Sequence, residues 1–143
     1  MTLYEKSSHA IGIKFINDYV EDAQKRLESF DGIRSNKKYN LIFFDPDNGI
    51  EVKSTRPKTV HKYVLWNDIK IAFNSGKSVL VYQHFPRRSR DTFIKDKLKE
   101  FENYFNADVL VIKVKHSVYF LLTQKSHLNK IRKSLNSYLE RWK

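Results

Sequence analysis

Two short strings carry side chains able to do chemistry: Asp45-Pro46-Asp47-Asn48-Gly49, and Gln83-His84-Phe85-Pro86 running on into Arg87, Arg88 and Arg90. Asp45 and Asp47 can accept a hydrogen bond from an amine or hydroxyl, act as a general base, or hold a divalent cation with Asn48. His84 can be a base, a metal ligand or a donor to phosphate. Asp45, Asp47 and His84 are therefore the candidate catalytic set, with Asp45 and Asp47 the candidate metal pair. Asn48, Gly49 and Gln83 are candidate ligand contacts, and Gly49 permits a tight turn or close approach by a ligand. Arg87, Arg88 and Arg90 suit phosphate, and cations at a helix start oppose its dipole unless an anion is bound. Tyr63, with His61, Lys62 and Trp66, covers the cleft as a lid or simply packs. The plainer alternatives are a favoured Asp-Pro-Asp-Asn-Gly turn and a histidine bonded to backbone.

Position separates the two readings. Leu41–Phe44 is a short apolar run, so Tyr39–Phe44 reads as a strand central to a sheet, and Pro46 gives it a rigid exit. Ser78–Tyr82 reads as a second buried strand. Earlier, residues 11–16 alternate like a strand, and Val20, Ala23, Leu27 and Phe30 follow at helical spacing from a cap at Asp18. Residues 46–63 read as a long loop. Asn67 is placed to cap a helix that Gly76 stops, and a long helix follows Ser89 with Phe93, Ile94, Leu98, Phe101, Tyr104 and Phe105 along its stripe. Residues 109–114 and 118–122 are antiparallel strands joined by three residues. A last helix from near Ser126 buries Leu128, Ile131, Leu135, Tyr138 or Leu139, and Trp142.

This alternation predicts an α/β fold: a three-layer Rossmann-like sheet, mostly parallel, ending in a C-terminal antiparallel hairpin, with helices on both faces. In open parallel sheets the functional crevice lies beyond the carboxyl ends of the strands. Both strings fall at such ends. The sequence thus predicts that neighbouring parallel strands deliver Asp45 and His84 to a common rim.

The chain of 143 residues has the size of one domain, and 41% hydrophobic residues suffice for a core. It holds 27 Lys and Arg against 16 Asp and Glu, a net charge of +11 that attracts polyanions such as nucleic acid or phosphorylated small molecules. The absence of cysteine excludes disulfides, thiolate metal sites and thiol redox chemistry. With no signal-peptide pattern and no membrane-length apolar run, a cytoplasmic location is expected. Pro46-Asp47 before Glu51-Val52-Lys53 also imitates the PD…ExK pattern of restriction-type nucleases, at a spacing far too short. His9, His116 and His127 read as surface residues.

The stretch from "IKFINDYVEDAQKRLESF" to "KYNLIFFDPDNG" resembles the C-terminal half of class I Rossmann methyltransferases, where a strand and helix lead to a DPPY-type motif. By that resemblance Asp45 matches the motif's polar first residue and Pro46 its first proline. Asp47 replaces the second proline, and Asn48 the aromatic that stacks on a flipped base. "FFDPDNGIEV", "KYVLW" and "VLVYQHFPRR" are also similar to strings in a group of uncharacterised bacterial proteins, over roughly residues 39–105. The resemblance implies one methyltransferase-like α/β domain over residues 1–143 that lacks the N-terminal cofactor-binding half. Gly12 and Gly32, the glycines before Asp45, form no GxG turn for S-adenosylmethionine. The expected function is binding of a nucleotide, nucleic acid or host protein through a basic cleft, without methyl transfer. The alternatives are an active S-adenosylmethionine-dependent nucleic-acid methyltransferase, with a second chain or another copy completing the site, and a phosphoesterase or nuclease using a divalent cation at Asp45, Asp47 and His84.

Overall fold

The computed structural model describes residues 23–141. The expected strand at 11–16, the cap at Asp18, Val20, His9 and Trp142 lie outside the described residues. The elements, in chain order, are α1 (Ala23–Ser35), β1 (Leu41–Phe44), a 3-10 helix (Pro57–Lys62), α2 (Trp66–Asn74), β2 (Ser78–His84), α3 (Arg90–Tyr104), β3 (Asp108–Lys113), β4 (Ser117–Thr123) and α4 (Lys125–Arg141).

Among the described residues the sheet has four strands in the order β1-β2-β4-β3. Of these four strands only β1 and β2 pair in parallel, with Leu41 opposite Ser78 and Phe44 opposite Val81. The β2–β4 and β3–β4 pairs are antiparallel. The sheet is therefore mixed, which corrects the mostly parallel expectation. The reason is that β4 inserts between β2 and β3, so the hairpin converts what would be a second parallel pairing into two antiparallel ones. The C-terminal hairpin itself forms as expected.

Both long crossovers, β1 to β2 through α2 and β2 to β3 through α3, step the same way along the sheet. Right-handed connections then set both helices on one face. The core follows: Ile69 and Ala72 of α2 and Phe93 and Phe101 of α3 cluster with Val79, Val81, Phe120 and Leu122 of the sheet. Phe44 meets Phe30 of α1, ring centroids 5.9 Å apart, on this side. The last helix is tied to the start of β2, where His127 Nδ1 lies 2.9 Å from the buried Ser78 Oγ. His127 is thus half-buried rather than a surface residue, whereas His116 is exposed in its hairpin turn.

Local differences from the expectation have plain causes. Strand β1 has one neighbour among the described strands, so Leu41 and Phe43 stay 49% and 51% exposed rather than buried. Asn67 caps nothing; α2 starts at Trp66, and Asp68 from its first turn accepts the Leu65 N–H at 2.8 Å. Gly76 does end that helix, at φ +85°. Ser89 caps α3, its Oγ 3.5 Å from the Thr92 N–H. Helix α4 buries no residue fully: Leu128, Ile131 and Leu135 are half-buried, and Tyr138 and Leu139 are exposed. No described helix is long and apolar enough to cross a membrane.

Candidate functional site

Residues 45–64 are a closed excursion rather than a free loop. Asn48 N–H donates to Lys62 O at 2.9 Å, Val64 N–H to Gly49 O at 3.0 Å, and Glu51 N–H to Val64 O at 2.9 Å. Ile50 and Val64 form an isolated parallel bridge and are both buried. The 3-10 helix fills the middle of the excursion. Glu51 Oε1 accepts the Trp66 N–H at 2.7 Å, so its carboxylate caps α2.

This excursion is stitched to β2 by Gln83. The Gln83 amide oxygen accepts the Ile50 N–H at 2.8 Å, and its NH2 donates to His84 O at 3.0 Å. Gly49, at φ +84°, lies directly against that amide; a Cβ at position 49 would overlap it. Gln83 and Gly49 are therefore positioning residues that hold the DPDNG turn in place.

Beside this seam opens a cleft of about 300 Å³ at the carboxyl ends of β1 and β2. Asn48, Ile50 and Val52 come from the excursion, with Tyr63 at its far end. Gln83 and Pro86 come from the β2 exit, and Arg88, Phe93, Lys97 and Glu100 from the start and flank of α3. The location obeys the crevice rule for parallel strands. Of the ligand residues expected from sequence, Asn48, Tyr63, Gln83 and Arg88 meet in this cleft.

Asp45, Asp47 and His84 do not line it. Asp45 and Asp47 are exposed. His84 ends β2 on the face opposite Gln83, because successive strand residues alternate sides. Its Nδ1 lies 3.0 Å from Tyr82 Oη, and the two rings meet edge-on at 4.7 Å. Among the described residues no three His, Asp or Glu side chains converge to hold a metal ion. The expected Asp45–Asp47–His84 set is thus not assembled as a cation site. The expected common rim exists only in that both residues stand at neighbouring strand ends.

The arginines divide. Arg88 lines the cleft, pairs with Asp96 at 2.7 Å and lies 5.1 Å from the Phe93 ring centroid. Arg90 covers the Phe85 ring at 5.2 Å, and Arg87 is exposed. These partners relieve the cations of the unfavourable helix dipole. Tyr63 is held from behind: Arg26 of α1 donates to Tyr63 O at 2.6 Å and grips both oxygens of Asp68. Trp66 is a core residue, edge-on to Phe101 at 4.9 Å and stacked on Tyr104 at 4.7 Å.

Sequence reasoning missed Lys97 and Glu100. Lys97 is only 4% exposed, and its Nζ lies 2.8 Å from Glu100 Oε2. The signal was present: in the four-residue spacing Phe93, Lys97, Phe101, Phe105, a lysine occupies one place in a buried aromatic row. No protein-family model matches the chain, and no curated protein or solved structure is significantly similar to it.

Proposed function

We propose that this chain is a small Rossmann-like, methyltransferase-like domain that binds the phosphate-bearing part of a nucleotide or nucleic acid in the Asn48–Arg88 cleft, without transferring a methyl group. One observation carries this reading. Three separate stretches of chain bring an amide, a phenol ring, a guanidinium and a buried ammonium to one small crevice beyond parallel strand ends. Such a wall offers a ring to a base, an amide to a base edge or ribose, and cations to phosphate. The volume is at the small end for ligand sites and suits a single nucleotide unit. The excess charge of +11 would draw polyanions towards it.

The test is a titration of nucleoside monophosphates and a short single-stranded oligonucleotide. Affinity is expected to fall steeply between about 50 and 200 mM salt and to drop in Arg88→Ala and Asn48→Ala. Affinity independent of salt and of both substitutions would reject the cleft as the site. Methyl transfer is tested separately by calorimetry with S-adenosylmethionine, for which no heat is expected; micromolar binding would restore the enzyme reading.

A further inference from the structure

A buried ammonium is costly unless a counter-charge and hydrogen bonds replace its water. Lys97 Nζ has the Glu100 carboxylate at 2.8 Å and the Trp66 ring at 5.7 Å. Among the described residues it donates only that one hydrogen bond, although an ammonium carries three donors. Lys77, also buried, differs: it donates to two carbonyls, Asn36 O at 2.5 Å and Tyr39 O at 2.8 Å, and lines no part of the cleft. Lys97 therefore keeps spare donor capacity at a cavity wall. Its partner can leave, since the Glu100 side chain is 41% exposed against 5% for Lys97.

We propose that Lys97 anchors the anionic group of the cleft's ligand, and that Glu100 is its resident counter-ion, displaced when a phosphate monoester enters. This rests on the nucleotide reading of the cleft and adds which group is gripped and what it replaces. A phosphate monoester near neutral pH carries more negative charge than one carboxylate and offers three strong acceptor oxygens. It can satisfy the idle donors while Glu100 turns to water. Arg88, already paired with Asp96, contributes at the rim.

An anchor and a purely structural ion pair predict opposite patterns. Removing the Lys97 charge must weaken phosphate binding, whereas removing the Glu100 charge must strengthen it, because a competitor has gone. A structural pair would lose in both cases or change in neither.

The experiment is calorimetry on the full chain at fixed salt, using inorganic phosphate, a nucleoside 5′-monophosphate and the matching nucleoside. Wild type is compared with Lys97→Met and Glu100→Gln, and Lys97→Gln stands in if melting shows that Lys97→Met is unfolded. The monophosphate should bind wild type about tenfold or more tightly than the nucleoside, as a charge-assisted hydrogen bond supplies. Lys97→Met should erase that preference, and Glu100→Gln should raise monophosphate affinity by about two- to fivefold. If both variants weaken binding, or neither alters it, the anchor is overturned while nucleotide binding by wild type still stands. If phosphate binds in a Lys97-dependent way but the nucleoside part adds nothing, the anchor stands and the nucleotide reading falls. Wild type binding none of the probes at millimolar concentration overturns both.

Discussion

A methyl group at position 49 measures how closely the DPDNG turn is fitted to β2. Gly49 and Gly76 share nearly the same left-handed backbone, φ +84° and +85°. Their surroundings differ: a Cβ at Gly76 meets nothing within 4 Å, whereas one at Gly49 overlaps the Gln83 amide. Gly76→Ala should therefore cost only the backbone strain, about 1 kcal/mol. Gly49→Ala should cost about 3 kcal/mol or more, because it also evicts the Gln83 amide and strands the buried Ile50 N–H. Urea unfolding of the two variants checks the difference, and equal losses would mean that the Gln83 stitch contributes nothing.

Between elements, the main polar connection to the cleft runs through α1. Arg26 bridges from α1 to the Asp68 carboxylate at the start of α2 and to the Tyr63 carbonyl, with Arg26 and Asp68 side chains 15% and 4% exposed. Arg26→Met leaves a nearly buried carboxylate without its cation, so a loss of about 3 kcal/mol is expected, with looser seating of Tyr63 in the cleft. Denaturant midpoints and the Tyr63 ring resonances report the two effects. On the exposed side, Lys113 of β3 bonds to Asp91 in the first turn of α3 at 2.8 Å. That hydrogen bond, then the Lys113 charge, holds the Asp91 carboxyl below its ordinary value of 3.8. Its contribution is complete above the unfolded value and disappears as pH falls through the lower, folded one. An NMR titration should find Asp91 still ionised below pH 3.8, and Lys113→Met should move its titration up towards the ordinary value.

At the scale of the molecule, the outer face of β1 is one described surface able to pair with other chains. Strand β1 has one described neighbour and presents Leu41 and Phe43, about half exposed, on the face away from the core. An apolar edge strand is a template for pairing with other chains. Phe43→Lys should lower concentration-dependent light scattering while changing stability by about 1 kcal/mol or less, since the ring is half in water already. Unchanged scattering would show that this strand does not mediate association.

Much of this organisation was written locally. The apolar runs of β1 and β2, the Gly76 stop, the Ser89 cap and the three-residue hairpin turn are all short-range signals, and each produced its element. The strings at the strand ends named Asn48, Gln83 and Arg88, and the structure brings these three to one cleft with Tyr63. What the sequence by itself determined was which residues stand at the mouth of the parallel pair. Only the tertiary structure decided which side of the sheet is the cleft side. Both alternating sets along β2, Val79 and Val81 or Leu80 and Tyr82, are apolar enough to be buried, so periodicity could not choose between Gln83 and His84. The crossovers of α2 and α3 made that choice by covering the Val79 face, which brought Lys97 in from α3 and left His84 on the far side.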